Sequence, residues 1–361
     1  MCNRILRRLL FFATITTAAV CAASVHLEKS GYQINVTVGG QPFTTYYFSP
    51  EVAKSYLMPL RTASGIVISR DFPIANDASH GDPKDSSFEP HQRPLYFAHG
   101  KINGLDFWGE AVFNHYYNDD TKHDYGHSVL VKVEEMRETL ESGMVRATFG
   151  LQDPNGRVIG EETQAFTFSG DKTTRVIDCE FTLKATHGPI VMGDTKEGTF
   201  GIRLGRELSA PLGHMINSHG SEGEPAIWGK SADWVAYSGS YSGHAVGIAV
   251  FDHPASFRHP TTWHARGYGL LAANPFALRE FTKAQRERMR ATMGEKYPEP
   301  FGGALDTAPV LRARHGDSKQ DGSWTIAKGK SLTFKYRVFI YEGTMTATQI
   351  AQEYGKYEAH Q

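Results

Sequence analysis

The sequence predicts an all-β protein, a large antiparallel β-sandwich with minor helices, and three observations support this prediction. Apolar and polar residues alternate along successive segments in the middle of the chain, as they do in half-buried strands. Glycine (36 residues) and proline (17 residues) are abundant, which suits many strands joined by turns. Hydrophobic residues make up 40% of the chain and aromatic residues 12%, so a substantial core can form.

The first 23 residues are predicted to be a secretory signal peptide. Three arginines precede a short apolar run at residues 9–20, and small residues follow that run. The run is shorter than the ~20 residues that a membrane-spanning helix needs. Attachment through a lipidated Cys21 is a weaker alternative, because Val20 is bulkier than the residue that normally precedes such a cysteine. We therefore expect a periplasmic or secreted protein with no membrane span once the signal is removed.

Residues 24–361 are predicted to form a single β-sandwich domain. The first element is a hairpin over residues 32–48 with a two-glycine turn. Residues 76–90 form a polar loop that is long enough to have a functional role. Between residues 128 and 204 the alternation is regular, and its spacing is typical of an antiparallel meander.

The last third of the chain continues the β pattern and adds two helices. Further strands are predicted at residues 234–237, 245–251 and 331–341. Helices are predicted only at residues 282–290 and 348–354. No linker of biased composition and no repeat divides the sequence, which is the reason for predicting one domain.

The charge of the chain is nearly balanced. It contains 38 Lys and Arg residues against 39 Asp and Glu residues, so the formal net charge is −1. A protein that binds nucleic acid typically has a basic excess or a basic patch. The composition therefore argues against a nucleic-acid partner.

The strongest candidate for a functional site lies near residue 264. If the chain here forms a β-strand, alternate residues share a face, so His264, Arg266 and Tyr268 line one side together. Such groups make a poor hydrophobic core, but they can transfer protons and stabilise negative charge. This set suits proton abstraction next to a carboxylate, ring-opening epimerisation or binding of a polyol. A buried structural network is the alternative interpretation.

Two further polar pairs have the same spacing, namely His91 with Arg93 and Asn217 with His219. Arg93 could neutralise a carboxylate or bind sugar hydroxyls, and His91 could act as an acid or a base. Alternatively, Arg93 pairs with an acidic neighbour at the rim of a sheet. We expect the three sets to face one cavity, with His91 and Arg93 opposite the His264 set. The predicted catalytic residues are His264, Arg266, Tyr268, His91 and Arg93.

Other polar and aromatic residues near turns and strand ends are candidates for substrate binding. Trp108 could stack on a sugar ring, although an aromatic residue at strand spacing more often belongs to a core. Asp252 and His253 follow an apolar strand, where ligands commonly bind, but a local turn before Pro254 is the alternative. The predicted substrate-binding residues are His99, Asn103, Asp106, Trp108, Asn217, His219, Trp228, Asp252, His253, Trp263 and Asn274.

Metal binding has weaker support in the sequence. The segment from Asn217 to Trp228 mixes amide, imidazole and carboxylate groups, so a divalent metal is a possible cofactor. There is no HExxH sequence, paired CxxC or acidic calcium loop. We therefore assign no metal ligands, and we expect no organic cofactor.

Several short motifs occur between residues 45 and 345: Pro59-Leu-Arg-Thr-Ala-Ser-Gly65, Pro90-His-Gln-Arg93, Asn103-Gly-Leu-Asp-Phe-Trp108, Ile216-Asn-Ser218, Phe251-Asp-His-Pro254 and the run from Trp263 to Phe276. Through them the chain resembles a bacterial family that is often labelled methane oxygenase PmoA and is otherwise called a domain of unknown function. The family usually has an acid-His-Pro-His-His-Arg string, where this chain has Phe88-Glu-Pro-His-Gln-Arg93 and lacks two of the three histidines. The resemblance implies a fold similar to the galactose-mutarotase-like supersandwich and an association with sugar metabolism.

The leading hypothesis is a secreted or periplasmic carbohydrate-active protein that acts on a sugar or glycan in a sheet-lined cleft. Epimerase, lyase and hydrolase activities remain open, although hydrolysis by two carboxylates is less favoured because no two acidic residues stand out as a pair. One alternative is a non-catalytic glycan-binding protein whose tryptophans stack on sugar rings. The other is a copper or iron oxygenase, which the family label and the 16 histidines suggest.

Overall fold

The structure is a computed structural model that describes residues 22–71, 89–116, 124–282 and 321–359. Most of the predicted signal peptide, of the predicted polar loop at residues 76–90 and of the predicted helix at residues 282–290 lies outside these residues. A single domain over residues 24–361 therefore stays a prediction.

Strands dominate the described part of the chain, and the α-helices are short or C-terminal, with further helical residues at 278–282. The elements in chain order are β1 (Val25–Ser30), β2 (Gln33–Val38), β3 (Gln41–Tyr47), β4 (Tyr56–Met58), β5 (Leu95–His99), β6 (His127–Glu138), β7 (Gly143–Gln152), β8 (Val158–Gly170), β9 (Thr174–Lys184), β10 (Ile190–Met192), β11 (Gly198–Arg203), β12 (His214–Asn217), α1 (Glu224–Ile227), β13 (Trp234–Tyr241), β14 (His244–Asp252), β15 (Trp263–Ala265), β16 (Leu270–Ala273), β17 (Trp324–Ile326), β18 (Ser331–Glu342) and α2 (Ala347–Glu358).

These strands form two large antiparallel sheets. The first sheet has eight strands in the order β1-β2-β3-β4-β5-β11-β16-β15. The second sheet also has eight strands, in the order β12-β13-β14-β18-β9-β8-β7-β6, and β10 pairs separately with β17. The predicted all-β sandwich is confirmed. Among the described residues, no helix is long and apolar enough to cross a membrane.

The main hydrophobic core lies between the two sheets. Phe97 of β5 stacks on Phe181 of β9 with ring centroids 4.3 Å apart, and Phe200 of β11 stacks on Tyr336 of β18 at 4.9 Å. The meander strands alternate as predicted, so that every second residue of β7 and β9 is buried against this core. Alternation marks these strands because one face is packed and the other is more exposed.

Strands β5, β11, β16 and β15 differ from the meander because both of their faces are buried. Successive side chains of a strand point to opposite faces. Since Phe97 and Phe200 pack on the second sheet, their neighbours Tyr96 and Gly201 lie on the opposite side. We call this side of the first sheet the outer face.

Local sequence signals explain where several elements turn or begin. The predicted hairpin is β2 and β3, and its turn residues Gly39 and Gly40 have positive φ angles of 61° and 74°, which glycine adopts without strain. The predicted C-terminal helix is α2. It begins with a capping box, in which Thr346 accepts from the backbone of Gln349 and the Gln349 side chain accepts from the backbone of Thr346.

The predicted strand through Tyr268 is wrong in its length. Strand β15 ends at Ala265, and residues 266–269 form a turn that leads back into β16. Gly269 donates to the carbonyl of Arg266 at 2.9 Å, and its φ of +94° favours glycine. His264 therefore belongs to a strand, whereas Arg266 and Tyr268 belong to the turn.

Candidate functional site

A row of four residues crosses the outer face of the first sheet. The register places Tyr96 opposite Gly201, Gly201 opposite Ala272, and Ala272 opposite His264. Neighbouring strands are about 4.8 Å apart, so the Cα atoms of Tyr96 and His264 are separated by roughly 14 Å. The two residues between them have the smallest side chains, which leaves the polar groups at the two ends of the row.

His264 is at one end of this row and is 1% exposed. Its Nδ1 lies 2.8 Å from the carbonyl oxygen of Lys196, which can only accept, so Nδ1 carries the proton in this contact. The pKa of His264 is lowered to about 4, mainly by burial and also by the positive charges of Lys196 and Arg266, against the opposing effect of Glu197. The ring is therefore neutral at pH 7, and its Nε2 is a bare acceptor.

Tyr96 is at the other end of the row and packs against Trp108. Their ring centroids are 4.7 Å apart. A Cβ atom at Gly201 would lie 2.8 Å from Cη2 of Trp108 and 2.9 Å from Cζ of Tyr96, so glycine is needed for both rings to lie on the strand. Burial raises the pKa of Tyr96 well above its ordinary value, which keeps its hydroxyl protonated.

Several buried polar atoms around this row have no hydrogen-bond partner among the described residues. Polar atoms that are buried without a partner are uncommon in native proteins and cost about 1–3 kcal/mol each, so they require an explanation. The atoms are Nε2 of His264, the hydroxyl of Tyr96, Nε1 of Trp108 and Oε1 of Gln92.

Glu197 lies at the centre of the charges on the outer face. It interacts electrostatically with His91 and His264, which come from the two predicted walls of the cavity. We call the interacting residues the Glu197 cluster. Its members are Arg70, Glu89, His91, Tyr96, Lys196, Glu197, Arg203, His264, Arg266 and Tyr268.

The position of Glu197 is fixed by the segment before β11. The Lys196 ammonium binds the Glu197 carboxylate, and Asn274 donates to the carbonyls of Thr195 and Lys196 at 2.8 and 3.0 Å. A Cβ atom at Gly100 would lie 2.9 Å from Cβ of Glu197, so this close packing also requires glycine. Asn274, a predicted substrate-binding residue, thus holds the Glu197 segment in place.

The carboxyl groups of Glu89 and Glu197 differ in charge state. Burial raises the pKa of Glu197, but the charge and hydrogen bond of Lys196 together with His264 and His91 outweigh burial and lower the pKa to about 2. Burial and the negative charge of Glu197 raise the pKa of Glu89 to about 7. Two carboxyl groups whose pKa values are pushed apart are typical of an acid and a base at one site. No pattern in the sequence had indicated this pair.

Glu89 and His91 are on a turn that Arg70 fixes. The guanidinium of Arg70 donates to the backbone carbonyls of Glu89 and Gln92 at 2.7 and 2.8 Å. Glu89 has a φ of +36°, which is a strained conformation for a residue other than glycine. Its Oε2 lies 3.5 Å from Nδ1 of His91. This turn brings both side chains to the Glu197 cluster.

Arg93 is buried in an ion network of its own. Its guanidinium binds one oxygen of Glu110, and the ammonium of Lys54 lies 3.0 Å from the other oxygen. Lys54 also donates to the backbone carbonyl of Trp108. Arg93 is 1% exposed, so this contact agrees with pairing to an acidic neighbour, although in the interior and not at a rim.

Arg266 and Tyr268 reach the Glu197 cluster from the turn after β15. The Nε of Arg266 donates to Oε1 of Glu224 at 2.9 Å, and the guanidinium lies 4.9 Å from the centre of the Tyr268 ring. The guanidinium of Arg203 lies 4.3 Å from the same ring. Tyr268 is thus in contact with two cations, whose charges lower its pKa but do not offset burial, which raises the pKa above its ordinary value.

The structure places two of the predicted binding residues on the inner side of the first sheet. His99 contacts the Phe276 ring with centroids 5.1 Å apart, and its Nε2 lies 2.8 Å from the carbonyl of Gly193. Trp263 is fully buried and donates from Nε1 to the carbonyl of Ala232. Both face away from the Glu197 cluster because they share strand faces with core residues.

Two further predicted binding residues are used in loops. Asn103 has a φ of +52° in a turn, and its Oδ1 accepts from the backbone of Val191 at 2.6 Å. The Oδ1 of Asp106 accepts from the backbone N–H groups of Trp108 and Gly109 at 2.8 and 2.9 Å. Asp106 thereby helps to position the Trp108 ring, whereas Asn103 links its turn to residues 189–191.

The predicted residues of the second sheet also have local partners. Asn217 accepts from the backbone of His219, whose side chain is exposed. Asp252 accepts from Nδ1 of His259 at 2.9 Å, and His253 packs on the Tyr357 ring with centroids 5.0 Å apart. The structure therefore does not bring the Asn217 pair to the Glu197 cluster. Trp228, by contrast, contacts the His264 ring, with centroids 6.0 Å apart.

Two features of the site remain, namely its possible metal ligands and the members that were not predicted. In the part of the chain that the structure describes, no group of three His, Cys, Asp or Glu side chains could hold a metal ion. The members of the Glu197 cluster that were not predicted are Arg70, Glu89, Tyr96, Lys196, Glu197 and Arg203. A signal for Lys196 and Glu197 is present in the sequence, because this charged pair comes directly before the fully buried strand β11.

Comparison with known proteins gives a family and no activity. No curated protein matches the chain. Among solved structures, it is similar to the Slr1438 protein of Synechocystis sp. PCC 6803, a structural genomics target, with 10% sequence identity, coverage of 93% of this chain and 100% of that chain, and a TM-score of 0.31. The model of a family of unknown function, DUF6807, matches residues 33–355, in agreement with the domain of unknown function that the motifs indicated. The chain belongs to the DUF6807 family.

Proposed function

We propose that the protein binds a sugar or glycan on the outer face of the first sheet and transforms it by proton transfer. The observation that carries this proposal is the row from Tyr96 to His264, with unpartnered polar atoms at both ends. A ligand rich in hydroxyl groups can satisfy both donors and acceptors of this kind at once. The reaction is of the epimerase, lyase or hydrolase type.

The composition of the site also suits a carbohydrate. The Tyr96 and Trp108 rings provide apolar surface beside polar groups, and the surrounding charges of the Glu197 cluster provide hydrogen-bonding partners for hydroxyls. Ligand sites in proteins generally combine an apolar lining with a few polar groups that fix orientation. The outer face has both components within a few strand spacings.

Catalysis is favoured over binding alone by the state of His264. Its Nδ1 is fixed by the carbonyl of Lys196, and its neutral Nε2 can accept a proton from a ring carbon or a hydroxyl. The Glu89 and Glu197 carboxyl groups provide a second acid and base pair. Hydrolysis by two carboxylates therefore stays open beside the epimerase and lyase types.

A non-catalytic glycan-binding protein is the second candidate. The Tyr96 and Trp108 rings favour it, because aromatic rings can stack on sugar rings.

The methane oxygenase label suggested by the sequence motifs is a separate proposal, which metal analysis of the purified protein tests. We also propose that the protein acts in the periplasm or outside the cell, on the basis of the signal-like residues 1–23. The mass of the N-terminal peptide of the secreted protein tests this location.

The test is to incubate the purified protein with a panel of neutral and acidic glycans. Binding is measured by calorimetry, and products are measured by chromatography. We expect at least one class of glycan to be bound and converted. Binding without conversion supports the glycan-binding candidate, and the absence of both contradicts the proposal.

A further inference from the structure

Arg266 is the residue of the Glu197 cluster that is best placed to receive an anionic ligand. Its Nε donates to Glu224, but neither of its terminal amino groups donates to another of the described residues. The side chain is 23% exposed, so these groups are accessible from outside. Two parallel N–H groups of a guanidinium match the geometry of a carboxylate, which they bind through two hydrogen bonds.

The neighbouring residues make the surroundings of Arg266 favourable for a negative charge. Lys196, Arg203 and Arg70 belong to the same cluster, and the ring of Tyr268 lies against Arg203 as well as Arg266. The carboxylates of Glu197 and Glu224 are already bound by Lys196 and Arg266. An added carboxylate would therefore meet more cationic than anionic groups.

His264 lies close enough to Arg266 for their charges to interact, and its Nε2 has no partner among the described residues. The bare nitrogen of a neutral imidazole is the form that can remove a proton. Removal of a proton from carbon becomes easier when the adjacent carboxylate is neutralised by a cation, because negative charge develops on that carboxylate. Arg266 and His264 supply these two functions side by side.

We infer, building on the proposed function, that the sugar is acidic: a hexuronate unit whose carboxylate binds the terminal amino groups of Arg266 and whose C5 proton is removed by Nε2 of His264. The C5–H electron pair then forms the C4–C5 double bond, and the C4–O bond to the next sugar breaks. The leaving oxygen takes a proton from the hydroxyl of Tyr268, and water restores the protonation of both side chains. No oxidant or reductant is needed.

The test compares hexuronate oligosaccharides with their carboxyl-reduced forms, which keep the hydroxyl groups but lack the charge. The probes are oligosaccharides prepared from alginate, pectate and glucuronan. Affinity is measured by calorimetry, exchange at C5 by NMR in deuterated water, and the unsaturated product by its ultraviolet absorbance. We expect at least one hexuronate series to bind at least tenfold more tightly than its reduced form and to show C5 exchange or elimination.

Two variants and a matched control separate the role of Arg266 from a structural one. Arg266→Ala is expected to lower hexuronate affinity at least tenfold. Arg266→Lys is expected to lower it less, because the ammonium keeps the positive charge although it cannot bind both carboxylate oxygens. Glu224→Gln removes the ion pair but keeps the guanidinium, so hexuronate binding is retained. Arg157→Ala, at an exposed turn between β7 and β8, is the control and leaves binding unchanged. Thermal unfolding of each variant checks that it is folded.

The outcomes distinguish this inference from the proposed function. If neutral or carboxyl-reduced glycans are bound and converted as well as hexuronates, or if Arg266→Ala binds normally, the inference fails and the proposed function stands. If neither series binds to the wild-type protein, both fail. A hexuronate-dependent rise in the pKa of His264, measured by NMR, adds support because the carboxylate neutralises cations that lower it.

Discussion

Two regions of this protein bury polar side chains, and they differ in whether those side chains have partners. Between the sheets, Gln164 accepts from the hydroxyls of Tyr46 and Ser55 at 2.8 and 3.0 Å and donates to Glu162. On the outer face, the hydroxyl of Tyr96 and the Nε2 of His264 have no such partner among the described residues. We call the first region the Gln164 network.

The difference teaches how to distinguish a structural network from a ligand site. A buried group whose hydrogen bonds are made contributes to stability. Removing one partner leaves the other buried groups without a hydrogen bond, which lowers the free energy of unfolding. A buried group without a partner lowers stability until a ligand completes it. Substitutions in the Gln164 network should therefore change unfolding, whereas substitutions in the Glu197 cluster should change binding and turnover.

The largest effect is expected for His264→Ala, which removes the proposed base. Turnover of the converted glycan should fall by roughly 10²–10⁴-fold, the usual contribution of general base catalysis. The free energy of unfolding should also fall, because the buried ring packs against Trp228 and its Nδ1 donates to the Lys196 carbonyl, so the rate is compared per folded protein. Rates from product chromatography and thermal unfolding measure the two quantities.

The matched control for this prediction is His214→Ala, since His214 is exposed at the start of β12. It should leave both rate and stability unchanged. A variant of His264 that unfolds but retains its specific activity would contradict the distinction between the two regions.

The next effect concerns the Gln164 network. Gln164→Leu keeps the approximate volume but leaves the hydroxyls of Tyr46 and Ser55 and the carboxyl of Glu162 without their central partner. Each such loss costs about 1–3 kcal/mol, so the free energy of unfolding should fall by about 4 kcal/mol. Chemical denaturation measures this change, and Gln152→Leu at the partly exposed end of β7 is the control. Unchanged stability together with lost glycan binding would reverse the comparison.

The sequence allowed the prediction of the sandwich because alternation is a local signal. It also led to His264, because an imidazole on a strand face stands out among apolar residues, and to His91, which lies on a turn. It did not lead to Tyr96, which occurs in a strand that is buried on both faces and therefore shows no alternation. Glu197 reaches the site only because β11 pairs between β5 and β16, a contact between distant parts of the chain.

A smaller mistake concerned Arg266 and Tyr268, for which a continuous strand was predicted. The glycines at 267 and 269 were a turn signal in the sequence, and Gly269 has the positive φ that such a turn requires. The residues reach the Glu197 cluster from a turn instead of a strand face. Local rules are therefore sufficient to predict this turn, because the two glycines indicate a turn more strongly than the polar alternation indicates a strand.

The pH dependence of stability should distinguish Glu162 from an exposed carboxylate. Burial raises the pKa of Glu162 to about 7 in the folded protein, above the ordinary value of 4.5. The folded state therefore holds this proton more tightly, and the resulting stability is present below about pH 4.5 and is lost as the pH rises through 7. The total loss is about 3 kcal/mol.

Glu162→Gln should remove this loss, so that the difference in unfolding free energy between variant and wild type grows from pH 4.5 to pH 7. Denaturation curves at several pH values measure the difference. Glu141→Gln in the exposed hairpin turn between β6 and β7 is the control and should show a constant difference. A constant difference for Glu162→Gln as well would contradict the prediction.

The smallest effect gives the most direct comparison, because one tyrosine hydroxyl is removed from each region. Tyr46→Phe deletes a hydroxyl that donates to Gln164, so the free energy of unfolding should fall by about 1 kcal/mol. Tyr96→Phe deletes a hydroxyl without a partner among the described residues, so the protein should be as stable as the wild type or slightly more stable. Its glycan affinity should instead fall by about tenfold, equivalent to one lost hydrogen bond. Equal destabilisation by both substitutions would mean that the Tyr96 hydroxyl is bonded within the protein, and the outer face would then be a second structural network.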